Sequence, residues 1–99
     1  MLPEDDNARK AIPIDAIFKF WPDAMIELAR HIQFGADKYA NGVPVWNREL
    51  SSDHKGSAFR HQIDLIKSTS REDRLHHQVA IVWREISQLQ LDCEEQNDE

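Results

Sequence analysis

A single cysteine, Cys93, in 99 residues excludes an intramolecular disulfide, and a lone thiol suits a reducing compartment. No apolar run approaches the roughly 20 residues needed to span a bilayer. The opening MLPEDDNARK is acidic where a secretory signal would be basic and then apolar, so a cytosolic protein is expected. Glycine is scarce, and no Gly-rich phosphate loop is present; CxxC pairs and any Ser-His-Asp spacing are missing too. Strand-like alternation of useful length, internal repeats and low-complexity tracts are also lacking. Carboxylates and histidines on helices are left as the groups able to do chemistry.

The net charge of -6 is unevenly spread. Three acids lie in Glu4 to Asp6 and five in Asp92 to Glu99, so ten of the eighteen remain in a body that holds all twelve Lys and Arg. A near-neutral body with acidic ends admits an anionic small ligand such as a nucleotide and disfavours wrapping a duplex. The length allows one domain, 1–99, with loose acidic ends at 1–10 and 92–99, and is marginal for a monomer. Partners of its own kind are therefore expected, and a membrane partner is not.

Helical periodicity dominates. Over Pro22 to Tyr39, Met25, Leu28, Ile32, Ala36 and Tyr39 recur at steps of three and four and define an apolar stripe. Pro22 suits a first helical position and Asp23 complements the helix dipole. Gly35, near the stripe, either admits another backbone or weakens the last turn. Before this helix, AIPIDAIFKF is broken by Pro13 and reads as an irregular lead-in, with Phe18, Phe20 and Trp21 closing one end of the core. After it, Asn41 to Ser52 reads as a long loop carrying Asn-Gly and Trp46.

A second helix is read over Lys55 to Lys67, with Phe59, Ile63 and Ile66 as its buried stripe. A third starts at Ser70, whose spacing to Asp73 makes a capping box, and runs to about Leu91. Leu75, Val79, Val82, Ile86, Leu89 and Cys93 form a heptad-like seam along it. The expectation is an all-α fold: a small bundle of three main helices with an irregular N-terminal segment, completed by oligomerisation.

Glu27 and His31 are four residues apart and share a helix face, as do Glu72 with His76 and Asp73 with His77. Such pairs can reach one divalent ion, and the same spacing describes ordinary solvated pairs. Mg²⁺ or Mn²⁺ would choose the carboxylates, whereas histidine favours a softer metal or acts on phosphate. Ten residues of unbroken helix separate Glu27 from Asp37 by about 15 Å, so one ion could hold both only if the helix deformed at Gly35. Arg30, Lys38 and Arg60 are natural phosphate contacts, and Trp46 could stack a base.

The run WPDAMIELARHIQFGADKYA, then Trp46, AFRHQIDL and EDRLHHQVAIVW resembles the phage and bacterial dATP/dGTP diphosphohydrolase N-terminal family, from about Arg9 to Trp83. FGADKY and Arg60-His61 are the most specific parts. That family is similar to the all-α MazG-type nucleotide pyrophosphohydrolases, whose helices oligomerise and whose acids hold Mg²⁺ while water cleaves between the α and β phosphates. The resemblance implies catalytic roles for Glu27, Asp37 and Glu72, an Mg²⁺ or Mn²⁺ site at Glu27, Asp37, Glu72 and His77, and substrate contacts from Lys38, Trp46, Arg60 and His61. Its pattern usually has Glu at Asp37, Gly at Arg74 and a second histidine at Ala80.

Three readings follow. The first is a metal-dependent (deoxy)nucleoside triphosphate pyrophosphohydrolase acting on dATP/dGTP-type substrates in the cytoplasm, that of a bacterial host if phage-encoded. Ala80 and the short length favour a second, a non-catalytic nucleotide-binding protein of the phage sponge kind. The third is a helical self-association module built on the seam from Leu75 to Cys93.

Overall fold

The computed structural model describes residues 1–48 and 53–97. Every regular element among them is an α-helix: α1 Asp6–Lys10, α2 Ala16–Phe20, α3 Pro22–Tyr39, α4 His54–Lys67 and α5 Arg71–Asn97. The fold is all-α with three main helices. Residues 6–10 and 92–97, expected to be loose, are helical. In α1 the Asp5 carboxylate caps the helix by accepting from the Ala8 amide at 2.9 Å, and α5 continues past Leu91 to Asn97. No helix among the described residues is long and apolar enough to cross a membrane.

Helix α3 has the limits its sequence dictates. Pro22 opens it, and it ends where Asn41 (φ 54°) and Gly42 (φ 84°) turn left-handed. The Ala36 carbonyl then accepts from the amides of both Ala40 and Gly42 at 2.9 Å, which satisfies the frayed end. Helix α3 is unbroken at Gly35, and a Cβ placed there would meet nothing within 4 Å. Among the described residues no backbone approaches Gly35, and α3 continues through it to Tyr39.

Helices α4 and α5 form an antiparallel hairpin joined by Ser68, Thr69 and Ser70. Asp53 caps α4 by accepting from Gly56 N at 3.2 Å, and Ser70 caps α5 by accepting from Asp73 N at 3.1 Å. The register is fixed by two facing pairs, His61 with His77 and His54 with Arg84, each seven residues along its helix from the next. The buried residues of this joint are small or polar: His54, Ser57 and Ala58 on α4, Ala80 and Ser87 on α5.

This reverses the expected faces. Phe59, Ile63 and Ile66 were expected to be the buried stripe of α4, yet Phe59 is 69% and Ile66 78% exposed, and Ile63 is exposed too. On α5 the apolar seam, which suits packing against other helices or against a second subunit, is open at Leu75, Val82, Ile86 and Leu89. Small side chains let two helix backbones approach closely, so His77, Ala80, Arg84 and Ser87 face α4 and the bulkier row is left outside. Phe18, Phe20 and Trp21 do not close a core end either, because all three are exposed.

The chain's dimensions reflect these open faces. Its accessible surface is 8194 Å², against about 5,800 Å² for a folded monomer of this mass. Its radius of gyration is 15.8 Å, against about 13 Å for a compact chain of this length. The buried apolar residues among those described are three alanines, Ala36, Ala58 and Ala80.

Candidate functional site

Helix α3 packs on α5, and between them lies an open cleft of about 310 Å³ lined by Glu27, Arg30, His31, Phe34, Glu72, Leu75, His76 and Val79. Its α3 residues, 27, 30, 31 and 34, are one helix face at steps of three and four. Its α5 residues, 72, 75, 76 and 79, are another. Two of the three acid-histidine pairs that the spacing singles out, Glu27 with His31 and Glu72 with His76, thus belong to one cleft, and the third, Asp73 with His77, does not line it.

Glu27 accepts a hydrogen bond from Arg30 Nη1 at 2.7 Å within an ion pair. The His31 ring stands 6.0 Å from that of His76 and 6.2 Å from Trp83, and the Phe34 ring meets His76 edge-on at 6.0 Å. Burial, then the rings of His76 and His61 and the Arg84 guanidinium, hold His31 below the ordinary imidazole value of 6.5. A second titratable group lies alongside. His61 Nδ1 is 3.0 Å from His77 Nδ1, the His77 ring is 5.2 Å from that of His76, and His61 is held below its ordinary value first by burial and then by His77.

A third cluster occupies the start of α4. His54 is 1% exposed, with its ring 5.7 Å from Trp83 and 6.3 Å from Trp46, and its Nδ1 lies 3.3 Å from Arg84 Nη1. Because guanidinium can only donate, Nδ1 is the accepting nitrogen and the ring proton sits on Nε2. Burial first, and Arg84 second, keep this ring neutral, against a smaller opposing effect of Asp53. Arg48 stacks over Trp46 at 4.3 Å and ion-pairs with Glu94, pinning the loop to the far part of α5.

A cleft between α3 and α5, an unbroken FGADKY turn and the His61–His77 contact all fall within one stretch of chain, and residues 2–99 match the family described as dATP/dGTP diphosphohydrolase, N-terminal. The chain belongs to the dATP/dGTP diphosphohydrolase N-terminal family. No curated protein and no solved structure matches it.

Against that family's expected site, this member gathers some residues and separates others. Glu27 and Glu72 share the cleft. Lys38 lies at its edge, with Nζ 6.0 Å from the centre of the Phe34 ring. Asp37 lies elsewhere in the protomer: it accepts from Gln33 Nε2 at 2.9 Å beside Gly42, and the continuous helix carries it about 15 Å along the axis from Glu27. His77 faces His61 and does not line the cleft, Arg60 pairs with Asp53 at 3.2 Å, and Trp46 packs on His54. One ion cannot therefore be shared by Glu27 and Asp37 of the same protomer.

The sequence alone points to neither His54 nor Arg84, although both are prominent in the structure. Their signal is the pair of seven-residue spacings 54 to 61 and 77 to 84, obscured because these polar residues form the helix joint, where apolar ones are ordinarily sought. Asp64 is exposed and shares in neither spacing.

Proposed function

We propose that this member of the family is a metal-dependent pyrophosphohydrolase of dATP/dGTP-type nucleotides, with the α3–α5 cleft as its active site. The observation that carries the reading is that Glu27 and Glu72, from two different helices, line one cleft with a cation and an aromatic ring. Mg²⁺ is ordinarily held by one or two carboxylates and the substrate's own phosphates, so the pair suits Mg²⁺ or Mn²⁺. When bound, such an ion neutralises phosphate charge and makes water a better nucleophile at neutral pH.

The chain's own groups supply the rest. Arg30, now paired with Glu27, is placed to turn to a phosphate oxygen once a cation competes for that carboxylate. Phe34 offers a face for the base, and the Lys38 ammonium beside it faces the substrate's negative charge. His31, neutral at pH 7, can accept the proton that the attacking water loses. Attack at the α phosphorus then releases pyrophosphate and leaves a nucleoside monophosphate. Asp37, Trp46 and Arg60 have no part in the cleft in this reading, being engaged by Gln33, His54 and Asp53 respectively.

The working form is a homo-oligomer in the cytosol. About 2,400 Å² of accessible surface beyond that of an ordinary monomer is the scale that obligate interfaces cover, and the outward rows of α4 and α5 supply it. The same exposed rows favour, as a second reading, a helical self-association module.

Incubation of dATP and dGTP with the protein and Mg²⁺ or Mn²⁺ tests the proposal by product analysis. Pyrophosphate and the monophosphate are expected in equal amounts. Nucleotide bound but returned intact would replace the hydrolase with a sequestering protein, and no nucleotide effect on melting would leave self-association.

A further inference from the structure

We propose that His61, Asp64 and His77 form a binding site for one transition-metal ion of the Zn²⁺ type, distinct from the carboxylate site of the cleft. The proposal rests on the α4–α5 hairpin alone and stands whether or not the chain hydrolyses nucleotides. One ligand atom from each of the three residues lies within 4.8 Å of the other two, and the two Nδ1 atoms are 3.0 Å apart.

The geometry matches what such an ion requires. His61 and Asp64 are three residues apart on α4, so they share a face, and His77 comes across from α5. Tetrahedral Zn²⁺ with bonds of about 2.0–2.1 Å spaces its ligand atoms roughly 3.3 Å apart. The two imidazoles are already near that spacing, and the Asp64 side chain, exposed and with an oxygen within 4.8 Å of a ligand nitrogen on each histidine, can turn inward to complete it. Two nitrogens and one oxygen are a donor set for Zn²⁺, Co²⁺ or Ni²⁺ and a poor one for Mg²⁺. Three protein ligands leave a fourth position open to water or to a phosphate oxygen.

Without an ion, two ring nitrogens at 3.0 Å must share a proton, one donating and the other accepting. The ion takes the place of that proton and clamps the hairpin. His76 stands between the two sites: it lines the cleft, and its ring is 5.2 Å from that of His77.

The test uses untagged full-length protein carrying Cys93→Ser, stripped with chelator and titrated with Zn²⁺ and Co²⁺ by calorimetry and thermal melting. One ion per chain and a raised Tm are expected, with Mg²⁺ a poor competitor. Asp64→Asn, at an exposed position that leaves folding intact, and His77→Ala are expected to weaken binding by at least about 10-fold. Glu27→Gln and His76→Ala are expected to change it less than about 2-fold. The proposal is overturned if no saturable one-per-chain binding occurs, if Asp64→Asn and His77→Ala bind as the parent does, or if His76→Ala abolishes binding.

Discussion

His61 and His77 meet Nδ1 to Nδ1 at 3.0 Å, and seven residues along each helix His54 meets Arg84 at 3.3 Å. The joint between the two helices with the most extensive packing is thus made of titratable groups as well as small ones, and its strength must vary with pH.

His54 fixes the sign. Its folded-state value lies below the ordinary 6.5, lowered by burial and by Arg84 and partly opposed by Asp53, while Trp46 and Trp83 exclude water around it. Below about pH 6.5 the unfolded chain takes up a proton that the folded chain refuses. Stability is therefore fully present above that pH and is lost as pH falls from there towards the folded value. Urea melts at pH 7.5 and 5.5 are expected to show a lower midpoint at 5.5, and a smaller difference in His54→Gln. Equal midpoints in the parent protein contradict this.

The open apolar rows predict assembly. The parent protein is expected to sediment well above the 11.6 kDa of one chain, and Ile86→Glu with Leu89→Lys to return it to the monomer with its helix content kept, because both side chains are exposed in the protomer. A parent protein that sediments as the monomer at micromolar concentration would remove oligomerisation from the account.

Gly35 lies inside α3 with open space where a Cβ would go. Gly35→Ala is expected to stabilise by about 0.5–1 kcal/mol through the unfolded chain's lost freedom. That corresponds to a Tm higher by about 2–8 °C. A lower Tm would mean that another chain's backbone approaches this point.

Phe34 is the exposed ring of the cleft. Stacking on a base is worth about 1–3 kcal/mol, so Phe34→Ala is expected to raise KM for dGTP by about 5-fold or more while circular dichroism is unchanged. An unaltered KM places the base elsewhere.

Much of this architecture was legible beforehand. Helix α3 has the bounds that Pro22 and the Asn41-Gly42 pair imply, Ser70 caps α5 as its spacing to Asp73 suggested, and the family follows from FGADKY and its companions. The faces by which α4 and α5 meet were not legible. Hydrophobicity pointed to Phe59, Ile63 and Ile66, but close helix approach is governed by size, and Ser57, Ala58, Ala80 and Ser87 form the joint. The two acid-histidine pairs of the cleft were visible as i,i+4 spacings on separate helices, and only the packing of α3 on α5 joins them. The resemblance puts Asp37 with Glu27 at one ion, which helix rise allows within a single chain only if α3 deforms at Gly35, and α3 does not bend.

Pyrophosphate release from dGTP by Glu27→Gln and Glu72→Gln, each compared with the parent protein in saturating Mn²⁺, bears most directly on the cleft as the active site. A bound cation is worth several kcal/mol to phosphoryl cleavage, so each variant is expected to lose about 100-fold or more in rate with its helix content intact. Turnover that persists undiminished in both variants would contradict the assignment of these two carboxylates and, with them, of the α3–α5 cleft.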